Sequence, residues 1–562
     1  MLAAVAKIFG YSMPMNLNYD IMVPNPRASL AVVDTKYPGN KLSVDSKQEL
    51  TLDPRTTGIQ GDDELPIASI AGRESYLTTF DWDQNTAVDT LLFSCRVDPF
   101  VYATNLTAST SSTEIHLPAC AYAVLPFKYW RGTMRFRFQI VSSAYHKGRL
   151  RVVYDPEQAI ASPGYNTQYT TIHDISSEKD FTVDVGWGQT TSYREKLDRA
   201  DAAFSTTPLA LPSTAATNGN IAIYVVNQLT TPGIVAADLQ VNVFVSMLDD
   251  FEVAQPTRDV TNYTRRLPEF TPEMGFAFPE MGMEDDMDCC DNPVADPPVI
   301  DTHAHIKIQD DDVTKLFFGE AIASFRQMMK RTCLAEFVRV PENTVATRFA
   351  FNRAAFPEQS GLYAGGLATN SMVLQLSDGS QIVPTANNYL TYLALAFADY
   401  RGSTRWVIDT SSLNVQGNGD RFNSLTILLN RAESIFRQFF TSVLVPATAP
   451  NNNLIITSIN AEKNQNMLGQ YLGNTNVNPI QAIEVPFYSP RRFVPTMFEY
   501  AYDQQYPYPG FNFSAVLPGT DSTDEVSFVR LYCSAGEDLN FFFYQGPPVV
   551  FYEPSFNLDP GP

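Results

Sequence analysis

Trp130-Arg131-Gly132-Thr133-Met134-Arg135-Phe136 returns, 270 residues later, as Tyr400-Arg401-Gly402-Ser403-Thr404-Arg405-Trp406. Both heptads read aromatic, Arg, Gly, hydroxyl residue, any residue, Arg, aromatic. Each follows an apolar run, Ala121–Phe127 in the first and Tyr389–Phe397 in the second. A single echo at that distance, in matching context, predicts two copies of one domain. It excludes a solenoid, whose period is ~20–50 residues, and argues against a propeller for the same reason.

The residues around the first heptad say what kind of domain repeats. Met134, Phe136, Phe138 and Ile140 alternate with Arg135, Arg137 and Gln139. That period of two is a strand with one buried face. A turn at Tyr145–Arg149 and a strand at Leu150–Tyr154 follow, ended by Asp155-Pro156. Gly219–Val226 and Leu239–Ser246 read as two more strands, and Asp538–Tyr544 as the last.

Composition agrees. The 562 residues are 44% hydrophobic and 18% charged, which marks a globular chain. Phe at 37, Tyr at 27 and Pro at 38 suit many short strands between Pro-rich loops. An eight-stranded double-sheet jelly roll fits a domain of this size with long loops. The expected fold class is all-β, with two eight-stranded antiparallel jelly rolls. The net charge of −22 makes the chain a poor polyanion binder as a whole, since phosphate affinity comes from Lys and Arg.

Punctuation divides the chain. Residues 1–75 read as an extended arm broken by Pro24, Pro26, Pro38 and Pro54, a segment that needs another surface to lie on. Residues 255–312 read as an exposed linker, with seven prolines from Pro256 to Pro298 and the acidic run Glu284–Asp288. An amphipathic helix is predicted over Gly319–Arg331, with Ile322, Phe325, Met328 and Met329 on one face. Cys95, Cys120, Cys333 and Cys533 read as buried free thiols of an intracellular chain. Neither a secretory signal nor a run of ~18 apolar residues for a membrane span is predicted.

Enzyme-like motifs are few. Asp301-Thr-His303-Ala-His305 has the His-x-His spacing of a metal hydrolase. Such a site needs further ligands downstream. The chain holds five His, and the other three, His116, His146 and His173, lie upstream. No metal site is therefore expected. There is no GxSxG elbow, P-loop or GxGxxG, and no cofactor is expected. Asp249-Asp250-Phe251 closes a strand; adjacent carboxylates there can raise one another's pKa, though a solvated strand end is the simpler reading. The basic residues Arg131, Arg135, Arg137, Lys147, Arg149 and Arg151 alternate at sheet period, which fits an outer strand face better than a phosphate site.

Several stretches together resemble the capsid polyprotein of picorna-like RNA viruses of the dicistrovirus and marnavirus type. In the first half these are Lys41–Pro54, Arg73–Leu77, Phe127–Gly132, Phe138–Val141 and Tyr145–Leu150. In the second half they are Phe318–Gln327, Tyr400–Ser403 and Ala535–Asp538. The resemblance implies viral-coat jelly rolls that build an icosahedral shell around genomic RNA, with no turnover enzyme. It divides the chain into a stub of a small internal capsid peptide (1–11), an arm (12–75), a first capsid domain (76–254), a linker with a protease site (255–312) and a second capsid domain (313–562). Ile8–Pro14 resembles the family's maturation junction, with cleavage between Tyr11 and Ser12. Asp249, Asp250 and Phe251 match the motif proposed to drive that cut; no second copy is evident in residues 313–562. Implied partners are other capsid proteins and copies of itself, genomic RNA held weakly through residues such as Arg265 and Arg266, a viral cysteine protease and a host receptor. Gln309-Asp310 and Glu280-Met281 are candidate protease sites. The expected location is the virion, with assembly in the host cytoplasm. The other function classes weighed are a carbohydrate-binding jelly-roll module and a metal-dependent hydrolase.

Overall fold

The computed structural model describes residues 39–45, 64–106, 113–156, 168–209, 217–232, 238–266, 313–340, 347–357, 361–363, 374–375, 381–383, 387–414, 426–434, 445–446, 469–475, 478–496, 508–517 and 527–552. Tyr11, Ser12, the Asp301–His305 motif, Gln309, Asp310, Glu280 and Met281 lie outside them.

Among the described residues, sixteen strands form two sandwiches of the same design. The first comprises β1 (Ser75–Trp82), β2 (Leu91–Arg96), β3 (Met134–Val141), β4 (Lys147–Asp155), β5 (Tyr169–Asp174), β6 (Asp180–Val185), β7 (Asn220–Thr230) and β8 (Leu239–Met247). Their order is β1-β8-β3-β6 in one sheet and β2-β7-β4-β5 in the other. The second comprises β9 (Cys333–Val340), β10 (Thr347–Ala354), β11 (Thr404–Asp409), β12 (Thr426–Ser434), β13 (Gln470–Asn474), β14 (Ile480–Val485), β15 (Tyr508–Leu517) and β16 (Ser527–Ala535). Its sheets run β9-β16-β11-β14 and β10-β15-β12-β13. Each strand of the second copy occupies the place of its counterpart eight labels earlier. These are two jelly rolls, as the 270-residue echo predicts.

The alternation read from the sequence holds on β3. Met134, Phe136, Phe138 and Ile140 are buried, while Arg135, Arg137 and Gln139 are half-buried on the other face. Aromatic side chains join the sheets: Phe80 stacks on Phe93 at 5.2 Å in the first sandwich, and Trp406 meets Phe511 at 5.1 Å in the second. Such pairs add to the burial of large apolar area.

Helix formation departs from expectation before the second sandwich. The predicted helix over Gly319–Arg331 is only Phe325–Met329. A separate turn of helix, Val313–Phe318, ends at Gly319, whose φ is +72°. Ser324 then starts the next helix with a capping box closed by Gln327. Residues between them run extended because Ser324 bridges Pro66, with Ile67 N–H donating to Ala323 O (3.0 Å) and Phe325 N–H donating to Leu65 O (3.1 Å). Tertiary strand pairing overrides the local helical pattern here. Phe325, Met328 and Met329 are buried as the pattern required.

The two sandwiches share a seam. Val550–Tyr552 inserts between Thr113–His116 and Tyr263–Arg266 of the first half. Tyr263–Arg266 pairs in turn with Gly361–Tyr363 of the second half. Strands Glu252–Pro256 and Tyr263–Arg266 thus continue ordered structure into the segment read as linker from residue 255. One hydrophobic core cluster runs through both halves.

Candidate functional site

The heptad repeat has one structural purpose in both halves. Gly132 has φ +140° and Gly402 has φ +124°. A Cβ on Gly132 would come within 2.8 Å of Phe251 Cα, and one on Gly402 within 2.4 Å of Leu539 Cα. Both glycines let the strand start pass against the segment that carries an Asp. Asp250 Oδ1 accepts from Thr133 N–H (2.9 Å) and Asp250 Oδ2 from the Thr133 hydroxyl (2.7 Å). In the second half Asp538 Oδ1 accepts from Ser403 N–H (2.9 Å) and from the Ser403 hydroxyl. Each Asp is a latch across the turn between sheet and seam.

Glu537-Asp538-Leu539 is therefore the counterpart of Asp249-Asp250-Phe251. Sequence reading missed it because Glu and Leu replace Asp and Phe. The signal that finds it is the Ser403 hydroxyl in place of Thr133, which demands an acceptor. The flanking carboxylates differ. Asp249 is exposed and makes no hydrogen bond or ion pair among the described residues. Glu537 is held by Lys330 (2.5 Å) and Arg405 (3.2 Å). Burial pushes its carboxyl up, yet these two cations hold it below its usual range.

The helix Val313–Phe318 docks beside the first latch. Glu252, next to Phe251, accepts from the hydroxyls of Tyr193 (2.7 Å) and Thr314 (2.8 Å). Phe318 packs on Tyr193 at 5.1 Å and on Tyr129 at 5.5 Å. The start of the second half is thus seated on the first.

The arginines of β3 and β4 are neutralised by their neighbours. Arg135 grips Asp184 with two bonds of 2.7 Å. Arg137 pairs with Asp180 and Glu74, and Arg149 with Asp174. Arg151 is buried beside Asp89 and over the Tyr224 ring. Cross-strand carboxylates, not phosphate, answer these cations. Arg265 and Arg266 lie in a paired strand, and their side chains fall outside the described set.

Other titratable groups are structural. His173 is buried, stacked on Phe181 at 3.9 Å and bonded to Glu178 (3.0 Å). Asp98 is buried and accepts from Trp130 Nε1–H (3.1 Å), Phe100 N–H (2.8 Å) and Leu197 N–H (3.1 Å). Desolvation dominates these bonds and raises its pKa to about 6. Among the described residues no three His, Cys, Asp or Glu cluster as metal ligands would.

Two jelly rolls in tandem, each closed by its own Asp latch, make up the described fold. Residues 312–555 match the family model described as CRPV capsid protein like. The chain is 26% identical over 188 residues to the structural polyprotein of Cricket paralysis virus, which covers 33% of this chain and 20% of that one. It is 31% identical over 173 residues to the structural polyprotein of Acute bee paralysis virus, covering 28% and 19%. The chain thus spans about a fifth of the length of these curated relatives. A solved structure from a marine algae virus of the order Picornavirales is 40% identical, covers 44% of this chain and 97% of its own, and has a TM-score of 0.40. In its second half and in these stretches the chain is similar to the capsid polyproteins of picorna-like viruses.

Proposed function

We propose that this chain is a capsid precursor, two coat proteins in one polypeptide, whose work is self-assembly into an icosahedral shell around a positive-strand RNA genome. The observation that carries the reading is the duplicated jelly roll whose arms lie on one another. Asn40–Lys41 adds to β14, and Val550–Tyr552 adds to the first half. A cut within 267–312 would leave the products joined by these strands. The coat domains are residues 76–254 and 313–562, with an arm at 12–75. Partners are other capsid proteins, a viral cysteine protease acting in the linker, genomic RNA in weak contact and a host receptor. The site of work is the virion, after assembly in the host cytoplasm.

The maturation step belongs to the same reading. Hydrolysis between Tyr11 and Ser12 needs one group to take a proton from water as its oxygen adds to the Tyr11 carbonyl carbon, and to pass a proton to the departing Ser12 amine. Asp249 fits that role, since its carboxylate is exposed and makes no hydrogen bond or ion pair among the described residues. Asp250 positions it through Thr133, and buried Phe251 anchors the turn. Glu537 does not suit the same task, because Lys330 and Arg405 occupy it.

The test is intact mass and N-terminal sequencing of the products in particles from the natural source. Two coat products are expected besides the 1–11 stub, one beginning at Ser12 and one beginning inside 255–312. A single uncut chain that stays monomeric and forms no particle overturns the proposal and favours the carbohydrate-binding alternative.

A further inference from the structure

We infer that the outer edge of β6 takes one added strand, an extended arm from another coat chain with Lys or Arg opposite Asp184. The inference rests on the coat-protein reading. It comes from comparing equivalent edges in the two jelly rolls.

In the second half the equivalent strand, β14, is covered. Asn40 and Lys41 of the arm pair with it in parallel, opposite Ile483 and Glu484. Leu42 N–H donates to Glu484 O (3.0 Å), and Leu42 itself is buried. Lys41 Nζ lies 3.5 Å from Glu484 Oε1. The arm thus supplies main-chain bonds, an apolar anchor and a cation for one carboxylate.

β6 matches β14 position by position. Val185 lies opposite Met134 on β3, as Val485 lies opposite Thr404 on β11. Asp184 faces Arg135, as Glu484 faces Arg405. Asp184 therefore holds the place of Glu484. Ile140 N–H donates to Lys179 O (2.7 Å), so odd-numbered residues turn their main-chain groups toward β3. Asp180, Thr182 and Asp184 then turn theirs outward, as Glu484 does toward Leu42. Among the described residues no strand meets that edge.

Apart from its two Asp, this edge lacks the usual guards. Strands that must stay unpaired carry Lys, Pro or a bulge. β6 has none of these, and its register with β3 is unbroken. Its two carboxylates, Asp180 and Asp184, are drawn back by Arg137 and Arg135. Among the described residues Asn40–Lys41 of the arm pairs with β14 and not with β6, and the occupant assigned to β6 is the arm of another coat chain. A strand with a cation opposite Asp184 complements both that carboxylate and a chain of net charge −22. Main-chain pairing gives such a contact its strength, and the side chain opposite Asp184 sets its register.

Hydrogen exchange on the whole chain, free and in purified particles, tests this. In the free chain the Thr182 and Asp184 amides should exchange fast while Phe181 and Val183 stay protected. In particles Thr182 and Asp184 should slow by about tenfold or more. Thr182→Pro removes an outward N–H and spares the β3 ladder. It should keep the melting temperature and abolish assembly, while Thr182→Val assembles normally. Slow exchange at Thr182 and Asp184 in the free chain, or particles in which both stay fast, overturns the inference. So does assembly by Thr182→Pro at the Thr182→Val level. If the unaltered chain forms no particles, the coat-protein reading fails first.

Discussion

Tyr122 and Tyr392 stack at 4.4 Å, and each donates its hydroxyl to the other's main-chain carbonyl, Tyr392 to Tyr122 O at 2.8 Å. They are 270 residues apart, the distance that separates the two heptads. Both lie on helices, Ala119–Val124 and Tyr389–Ala394, that precede the heptads. The duplicated domains therefore meet through equivalent residues. Burial drives both phenols well above their usual pKa, so they remain donors at any physiological pH.

Removing either hydroxyl leaves a buried carbonyl without its donor. Tyr122→Phe and Tyr392→Phe should each destabilise the chain by about 1–3 kcal/mol. The double variant should cost less than the sum, since the two bonds close one ring of contacts. Urea unfolding of the three variants measures this.

The latch glycines should tolerate no side chain. Gly132→Ala and Gly402→Ala each force a Cβ into backbone at positive φ, and Gly402→Ala should be the worse of the two, its closest approach being 2.4 Å against 2.8 Å. A lower melting temperature for both, in that order, is the expected result.

The two aspartates of the first latch should separate by function. Asp250→Ala removes both bonds to Thr133 and should cost about 1–3 kcal/mol of stability. Asp249→Asn breaks no bond among the described residues and should melt as the unaltered chain does. If Asp249 is the proton acceptor, its particles retain Tyr11 joined to Ser12, read by intact mass. Normal cleavage in Asp249→Asn removes it from that role.

Asp98 sets a pH dependence. Its folded pKa is raised from 3.8 to about 6, so the folded chain holds this proton more tightly than the unfolded one. Its contribution to stability is full below about pH 3.8 and is lost as pH rises through 6. Asp98→Asn, which cannot ionise, should remove that downward slope between pH 4 and 6. Denaturation midpoints across this range, with and without the substitution, read the difference.

Asp174 gives the opposite sign. Ser176 and Arg149 hold its carboxylate down to about 2, so its contribution is present above pH 3.8 and fades only as pH falls toward 2. Ser176→Ala should shift its carboxyl signal upward in an NMR titration.

The sequence by itself determined the architecture. Period-two alternation at Met134–Ile140 placed one face of β3 in the core, and the heptad at 130 and 400 showed that the design occurs twice. Those signals are local, because a strand's faces are set by its own neighbours. Only the tertiary structure decided what the repeated pattern is for. Asp250 meets Thr133, and Asp538 meets Ser403, across more than a hundred residues, so neither pairing is written in any short stretch. The same is true of the helix at Phe325–Met329, shortened because Ser324 pairs with Pro66, and of the arm at Asn40–Lys41, ordered by β14. Hydrophobic period fixes which side of an element is buried. Which distant partner lies against it depends on register and closure of the whole fold, and those exist only once the chain has folded.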